Sequence, residues 1–158
     1  MEEIAKQIQI AINNKLYYLA LYVTLTLPDI LGALVSDDGI RNKDRYIWWF
    51  DTYVTPQNAD SNGNSLLTGE ISYKLRCSLL HEGKMELEAE RVGYSRIIFT
   101  TPEGSMQSHC FEQQYDDEIA LLLNVSTFCE QVLSGLRKFL EDYGDTEQFK
   151  QNYNSFVT

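Results

Sequence analysis

The sequence predicts a mostly α-helical single domain, with four or five helices in an antiparallel, up-and-down bundle and a small accessory β-hairpin. Apolar residues recur every three or four positions in long segments near both ends of the chain, as in amphipathic helices. β-forming residues are concentrated in one stretch near 94–111. The chain has 158 residues and 44% hydrophobic content, enough for one domain with a substantial core. We place this domain at 1–143 and a polar C-terminal tail at 144–158.

The N-terminal segment predicts one long amphipathic helix over 2–27, which Pro28 ends or kinks. Residues 29–34 continue as a further helical turn or two before the polar turn at 36–39. An aromatic helix over 44–54 follows, and most of its aromatic side chains are expected in the core.

The middle of the chain begins with a run of turn-forming residues at 57–64, which predicts a surface loop. Thr68 is the expected N-cap of a helix over 69–81, and Gly83 is its stop signal. The core residues of this helix are expected to be Ile71, Leu75 and Leu79.

The last third of the chain predicts the accessory hairpin and the final helix. One strand is expected over 94–101, and it returns as a second strand over 105–111 after a turn at 102–104. Residues 119–123 form either a third strand or the approach to the last helix. That helix runs from 125 to about 143, with Asn124 or Ser126 as its cap.

Composition limits the possible functions. The formal charge of −10 argues against generic affinity for nucleic acid, because such binding depends on lysine and arginine. The three cysteines have no CxxC spacing and the two histidines lie outside any ligand-like cluster, so neither a metal nor a cofactor is predicted. The start of the chain is acidic and no apolar run approaches about 18 residues. These features predict a reduced, cytoplasmic protein that does not enter a membrane.

One pair of residues consists of side-chain types that are common in catalytic sites. Arg76 precedes His81 by five positions at the end of the predicted helix over 69–81. Cleavage of RNA without metal requires removal of a proton from the 2′-hydroxyl, protonation of the leaving oxygen, and stabilisation of the phosphate charge. Histidine can perform the two proton transfers and arginine can hold the phosphate. The helix C-terminus would favour a protonated His81.

Helix geometry places a condition on this site. At about 100° per residue, Arg76 and His81 lie about 140° apart on an ideal helix. The two side chains could converge if the last turn loosens, or if two copies of this helix meet in a symmetric dimer. The structural alternative is an Arg76 that pairs with a carboxylate and a His81 that bonds the last helical carbonyls.

The segment Leu75-Arg-Cys-Ser-Leu-Leu-His-Glu-Gly83 resembles the HEPN (higher eukaryotes and prokaryotes nucleotide-binding) domain. The resemblance implies a helical bundle that dimerises through the motif helices. In active members it implies a metal-independent endoribonuclease of toxin-antitoxin or phage-defence systems. It assigns Arg76 to phosphate contact and His81 to proton transfer. RNA is then the substrate, and an antitoxin is a candidate protein partner.

The alternative function is a non-catalytic HEPN-like module that binds a protein partner or a nucleotide. A cleft lined by Arg76 and His81 would favour catalysis, whereas a buried Arg76 bound to Asp or Glu would favour the module.

Two further groups are candidates for function. Cys77 follows Arg76 and is either a thiol activated by that cation or a small buried side chain. A basic cluster of Arg41, Lys43 and Arg45 precedes Trp48. Cations interleaved with aromatic rings can bind single-stranded nucleic acid by charge and stacking. Packing of these aromatic side chains in the core is the competing interpretation.

Overall fold

A computed structural model describes residues 1–37, 39–82, 93–104 and 108–155, except for the side chains of residues 81 and 82. The described chain is mostly helical, with a small mixed sheet. The helices are α1 (Glu2–Asn13), α2 (Tyr17–Val35), α3 (Asn42–Tyr53), α4 (Gly69–Cys77), α5 (Val125–Tyr143) and α6 (Glu147–Asn154). A 3-10 turn (Thr55–Asn58) follows α3, and a π-helical turn (Ser78–Glu82) follows α4. The strands are β1 (Arg96–Thr100), β2 (Phe111–Tyr115) and β3 (Glu118–Asn124).

The N-terminal segment forms two helices where the sequence predicted one. The break lies at Asn14 and Lys15, and Lys15 adopts a left-handed backbone conformation with φ of 60°. The sequence left open whether Pro28 ends or kinks the helix, and α2 continues through this residue to Val35, so Pro28 does not end it. Leu27 and Leu31, on either side of Pro28, are fully buried. Core packing thus maintains α2 even though proline removes one backbone donor.

Helix α2 is long and apolar enough to cross a membrane, judged by length and composition alone, with 19 residues and a mean hydropathy of 1.7. The expectation that no apolar run approaches about 18 residues is therefore wrong. Half of it is buried against the rest of the domain.

The sheet differs from the predicted hairpin. Strand β1 occupies its predicted place, but it pairs in parallel with β3, and β3 lies between β1 and β2. The predicted return strand at 105–111 includes residues 105–107, which lie outside the described chain; the observed β2 starts only at Phe111. Strand β3 contains four consecutive, fully buried residues, Ala120 to Leu123. Strand β1 thus pairs with this buried central strand and not, as predicted, with the segment that directly follows it in the chain.

The predicted caps and core of the later helices are present. The Thr68 side chain accepts a hydrogen bond from the backbone of Ile71, and the Asn124 side chain accepts one from Thr127. Ile71, Leu75 and Leu79 are buried as expected. The predicted stop signal, Gly83, lies outside the described residues.

The predicted C-terminal tail contains helix α6, which packs on the domain. Phe149 is buried, and the amino group of Met1 donates a hydrogen bond of 2.8 Å to the hydroxyl of Tyr153. The two ends of the described chain are therefore in contact.

Candidate functional site

Arg76 lies at the C-terminal end of α4 and forms an ion pair with Asp29 of α2. Its Nε atom lies 2.9 Å from Oδ2 of Asp29. The Arg76 side chain is 23% exposed and that of Asp29 is 21% exposed, so the pair is partly shielded from water. Leu75, which precedes Arg76, is fully buried. The core contacts of α4 thus set the position from which Arg76 reaches α2.

The electrostatics of this pair reflect its partial burial. Burial raises the pKa of the Asp29 carboxyl, while the charge of Arg76 and, less strongly, that of Arg45 lower it. For Arg76, burial lowers the pKa but the attraction of Asp29 raises it, and the net pKa is above its ordinary value. Arg76 therefore stays protonated, with its charge directed at a carboxylate.

A polar and aromatic layer lies beside Arg76 on α4. The hydroxyl of Tyr46 and Oγ of Ser72 form a hydrogen bond of 2.9 Å inside the core. The ring of Tyr46 contacts the ring of Tyr73 edge-on, with the two ring centroids 5.3 Å apart. Burial and a hydrogen bond to Cys77 raise the pKa of Tyr73. Cys77 is half-buried, and Nη1 of Arg76 lies 3.9 Å from its Sγ. Cys77 thus contacts both Tyr73 and Arg76.

The second motif residue, His81, lies in the π-helical turn. The backbone leaves α-helical geometry after Cys77 and forms the π turn over Ser78–Glu82. A π turn closes i→i+5 hydrogen bonds, so the backbone rotates through a smaller angle per residue than in an α-helix. It therefore reduces the separation of about 140° that an ideal helix gives positions 76 and 81. The side chain of His81 lies outside the described part of the structure.

The basic cluster separates into different environments. Arg41 forms an ion pair with Asp44 at 2.7 Å, and Lys43 forms one with Glu70 at 2.8 Å. Arg45 instead donates through Nη2 to Oδ1 of Asn42.

Trp48 is 38% exposed, whereas the other aromatic residues of α3 are buried, as was predicted for most of them. It lines the same groove as Arg45. Of the four predicted nucleic-acid contacts, the structure thus brings these two together.

His109 forms a hydrogen-bond network that the sequence analysis did not predict. Its Nδ1 accepts from the backbone N–H of Asn124 at 3.2 Å. Its Nε2 lies 3.1 Å from Oδ1 of Asn58 and 3.0 Å from Oε1 of Gln131. The cap signal at Asn124 was readable in the sequence, but no pattern connected it to His109 or Asn58.

Within the described ranges, no group of three or more His, Cys, Asp or Glu side chains is arranged to hold a metal ion. Comparison with protein-family models, curated proteins and solved structures finds no match to this chain. The HEPN-like resemblance therefore stays a prediction.

Proposed function

We propose that this chain is a HEPN-like, metal-independent endoribonuclease of a toxin or defence type. In this proposal the protein is cytoplasmic and its helices form an up-and-down bundle with the sheet as an accessory. The chain acts as a homodimer through the motif helix, α4. Arg76 contacts the scissile phosphate of RNA, His81 transfers protons, and Cys77 supports Arg76.

The observation that carries the proposal is the π-helical turn directly after α4. Convergence of Arg76 and His81 requires the last turn to be looser than an α-helix, and the backbone has this form. π turns occur frequently at functional sites because they redirect side chains at a cost in helix stability.

The reaction would proceed by intramolecular attack. The 2′-oxygen bonds to the adjacent phosphorus and gives its proton to a neutral histidine, while the bond from phosphorus to the 5′-oxygen breaks. A protonated histidine gives its proton to that leaving oxygen, which leaves a 2′,3′-cyclic phosphate and a 5′-hydroxyl. A dimer supplies two copies of His81, one for each transfer.

Asp29 acts as a positioning residue in this proposal. Its carboxylate holds Nε of Arg76 at 2.9 Å, which limits the rotamers of a long side chain. A guanidinium fixed in advance binds a phosphate at lower entropic cost than a mobile one.

The same ion pair favours the second candidate, a non-catalytic HEPN-like module for a protein partner, such as an antitoxin, or for a nucleotide. Asp29 already neutralises the charge of Arg76, and both side chains are mostly covered. In that case Arg76 stabilises the contact between α2 and α4 and binds no phosphate.

Cleavage of a mixed RNA pool in EDTA tests the proposal. Wild type should release fragments with 2′,3′-cyclic phosphate ends, and Arg76→Ala and His81→Ala should abolish the release. Asp29→Asn should lower the rate at least tenfold, because Arg76 loses its orienting partner. Arg41→Ala is the matched control, since Arg41 also pairs with a carboxylate but lies directly before α3.

Each variant must be folded and of known oligomeric state, measured by circular dichroism and sedimentation. Cleavage that persists in Arg76→Ala would remove Arg76 from the mechanism. A folded dimer that leaves the pool intact would contradict the ribonuclease and support the module.

A further inference from the structure

A groove lies between the end of α2, the start of α3 and the end of α5, with a volume of about 360 Å³. Six of its lining residues matter here: Asp37, Ile40, Asp44, Arg45, Trp48 and Tyr143. Arg45 also lines an adjoining polar cavity of about 480 Å³, to which α6 contributes the amides of Gln148, Gln151 and Asn152. A cation, an aromatic ring and amide groups thus meet in one connected region.

Arg45 has a charge that no carboxylate neutralises directly. Within the described residues it forms no ion pair, in contrast to Arg41 and Lys43. Its Nη2 donates to the neutral amide of Asn42, and its buried Nε has no hydrogen-bond acceptor. A partly buried guanidinium that lacks an anionic partner is a favourable place for an anion.

Trp48 presents aromatic surface to the same groove. It is 38% exposed, whereas its neighbour Trp49 is fully buried. The Trp48 ring makes edge-on contacts with the rings of Tyr53 and Tyr143, whose centroids lie 6.4 and 6.1 Å from its own. These two contacts hold the Trp48 ring in place. A ring fixed in this way can stack on a planar base with little further loss of side-chain entropy.

The two carboxylates in the groove restrict what can bind there. Asp44 is paired with Arg41, and Asp37 accepts a hydrogen bond from Gln148 at 3.3 Å. Because Gln148 is neutral, Asp37 keeps its charge. The groove therefore combines a guanidinium outside any described ion pair with an aromatic ring and one carboxylate. This combination fits one phosphate and one unpaired base, not the continuous charge of a duplex backbone.

The groove is electrostatically connected to the Arg76 site. Burial raises the pKa of Asp29, the carboxylate that binds Arg76, and the charge of Arg45 is among the smaller influences that oppose this rise. Gly32 lets α2 and α3 approach closely, since a Cβ there would lie 2.8 Å from the backbone oxygen of Arg45. Arg45 and Arg76 thus both act on the charge of Asp29.

We propose that this groove is a subsite for single-stranded RNA, in which Arg45 contacts a backbone phosphate and an unpaired base stacks on Trp48. The inference rests on the proposed function, because it extends the substrate path from Arg76. It assigns binding to Arg45 and Trp48, and it leaves Arg41 and Lys43 as structural ion pairs.

Binding of a 2′-O-methyl oligouridylate tests the subsite without cleavage, because its 2′-oxygens cannot attack. Trp49 is buried, so fluorescence quenching reports on Trp48. We expect saturable quenching that is absent in Trp48→Phe. By anisotropy of a labelled oligonucleotide, Trp48→Leu should weaken binding roughly 5- to 150-fold, the range for loss of one stacked base. Arg45→Gln should weaken binding and reduce the salt slope by about 0.7.

Lys43→Gln is the matched control, because Lys43 also pairs with a carboxylate, Glu70, but neither residue lines the groove. Its affinity should equal that of wild type. Equal loss in Lys43→Gln and Arg45→Gln would overturn the subsite, because it would indicate attraction without a defined contact. Saturation by AMP as tight as by the oligonucleotide would also overturn it, in favour of a mononucleotide pocket. If the oligonucleotide binds but RNA is not cleaved, only the ribonuclease proposal fails. If cleavage proceeds without quenching of Trp48, only the subsite fails.

Discussion

The imidazole of His109 shows how one side chain can join three parts of the fold. Because Nδ1 accepts the N–H of Asn124, the neutral ring must carry its proton on Nε2. That proton faces the side-chain oxygens of Asn58 and Gln131. The same two amides donate to each other's oxygens, at 3.1 and 2.9 Å. The ring thus links the 3-10 turn, the end of β3 and α5.

Protonation of His109 should destabilise the protein. Burial lowers its pKa, although hydrogen bonds to Gln131 and Asn124 act in the opposite direction. The unfolded chain therefore binds a proton at higher pH than the folded chain. The stabilisation is complete above the ordinary histidine pKa of 6.5, and it is lost as pH falls through the lower folded value.

Urea unfolding between about pH 7.5 and 5 checks this prediction. At the upper end, His109→Gln should lower the free energy of unfolding by about 1–2 kcal/mol. The difference between wild type and variant should shrink as the pH falls. A difference that does not change with pH would contradict the neutral ring, and ring nitrogen chemical shifts would test the Nε2–H tautomer directly.

The position of Arg76 was predictable from the sequence, but its partner Asp29 was not. The position of Arg76 near the end of a helix follows from the apolar spacing of α4 and its Thr68 cap. Its ion pair with Asp29 connects positions 47 apart in the chain. No local pattern encodes such a contact, because it depends on how α2 and α4 pack.

At the scale of elements, the close contact of α2 with α3 positions the Arg45 groove. Gly32 makes this contact possible, because the backbone of Arg45 occupies the space that a side chain would need. Gly135 serves a similar purpose between α5 and α3, where a Cβ would lie 3.0 Å from Cβ of Tyr53. The contact at Gly32 is tighter and involves backbone atoms, which cannot rotate away.

Gly32→Ala should therefore destabilise the protein by about 1–3 kcal/mol, despite the gain of about 1 kcal/mol in helix propensity. Thermal or urea unfolding measures the effect. Gly135→Ala is the matched control, and its cost should be smaller because the nearest atom would lie 3.0 Å away rather than 2.8 Å. If Gly32→Ala raised stability, the close approach of α2 and α3 would be wrong.

Helices and caps were more predictable than their connections. Apolar spacing predicted α3, α4 and α5 because it records which face of a helix is buried. The break at Lys15 was missed, and the sequence left open whether Pro28 ends or kinks the helix. Both outcomes depend on how α1 and α2 pack. The parallel pairing of β1 with β3 was missed for a similar reason, since nearby strands predict hairpins.

At the scale of the whole molecule, α6 completes the domain. Phe149 is buried and packs against Phe139 and Tyr153, with ring centroids 6.1 and 5.5 Å away. The amino group of Met1 reaches the same helix through Tyr153. Residues beyond the predicted domain boundary at 143 thus pack against the domain.

Phe149→Ala should lower the free energy of unfolding by about 3 kcal/mol, because it leaves a cavity in the core. Urea unfolding followed by circular dichroism provides the measurement. Tyr18→Ala is the control, since Tyr18 is 67% exposed and its loss should change stability by less than about 0.5 kcal/mol. Equal effects of the two substitutions would show that α6 does not pack as described.

The sequence by itself determined the helical class, the main helix faces and caps, and the position of the Arg76 and His81 motif. These properties follow from local spacing and capping chemistry, which short segments encode. Only the tertiary structure decided that Arg76 binds Asp29, that Arg45 and Trp48 share a groove, and that β1 pairs with β3. Such contacts join distant segments, and their stability depends on burial that exists only after the chain has folded.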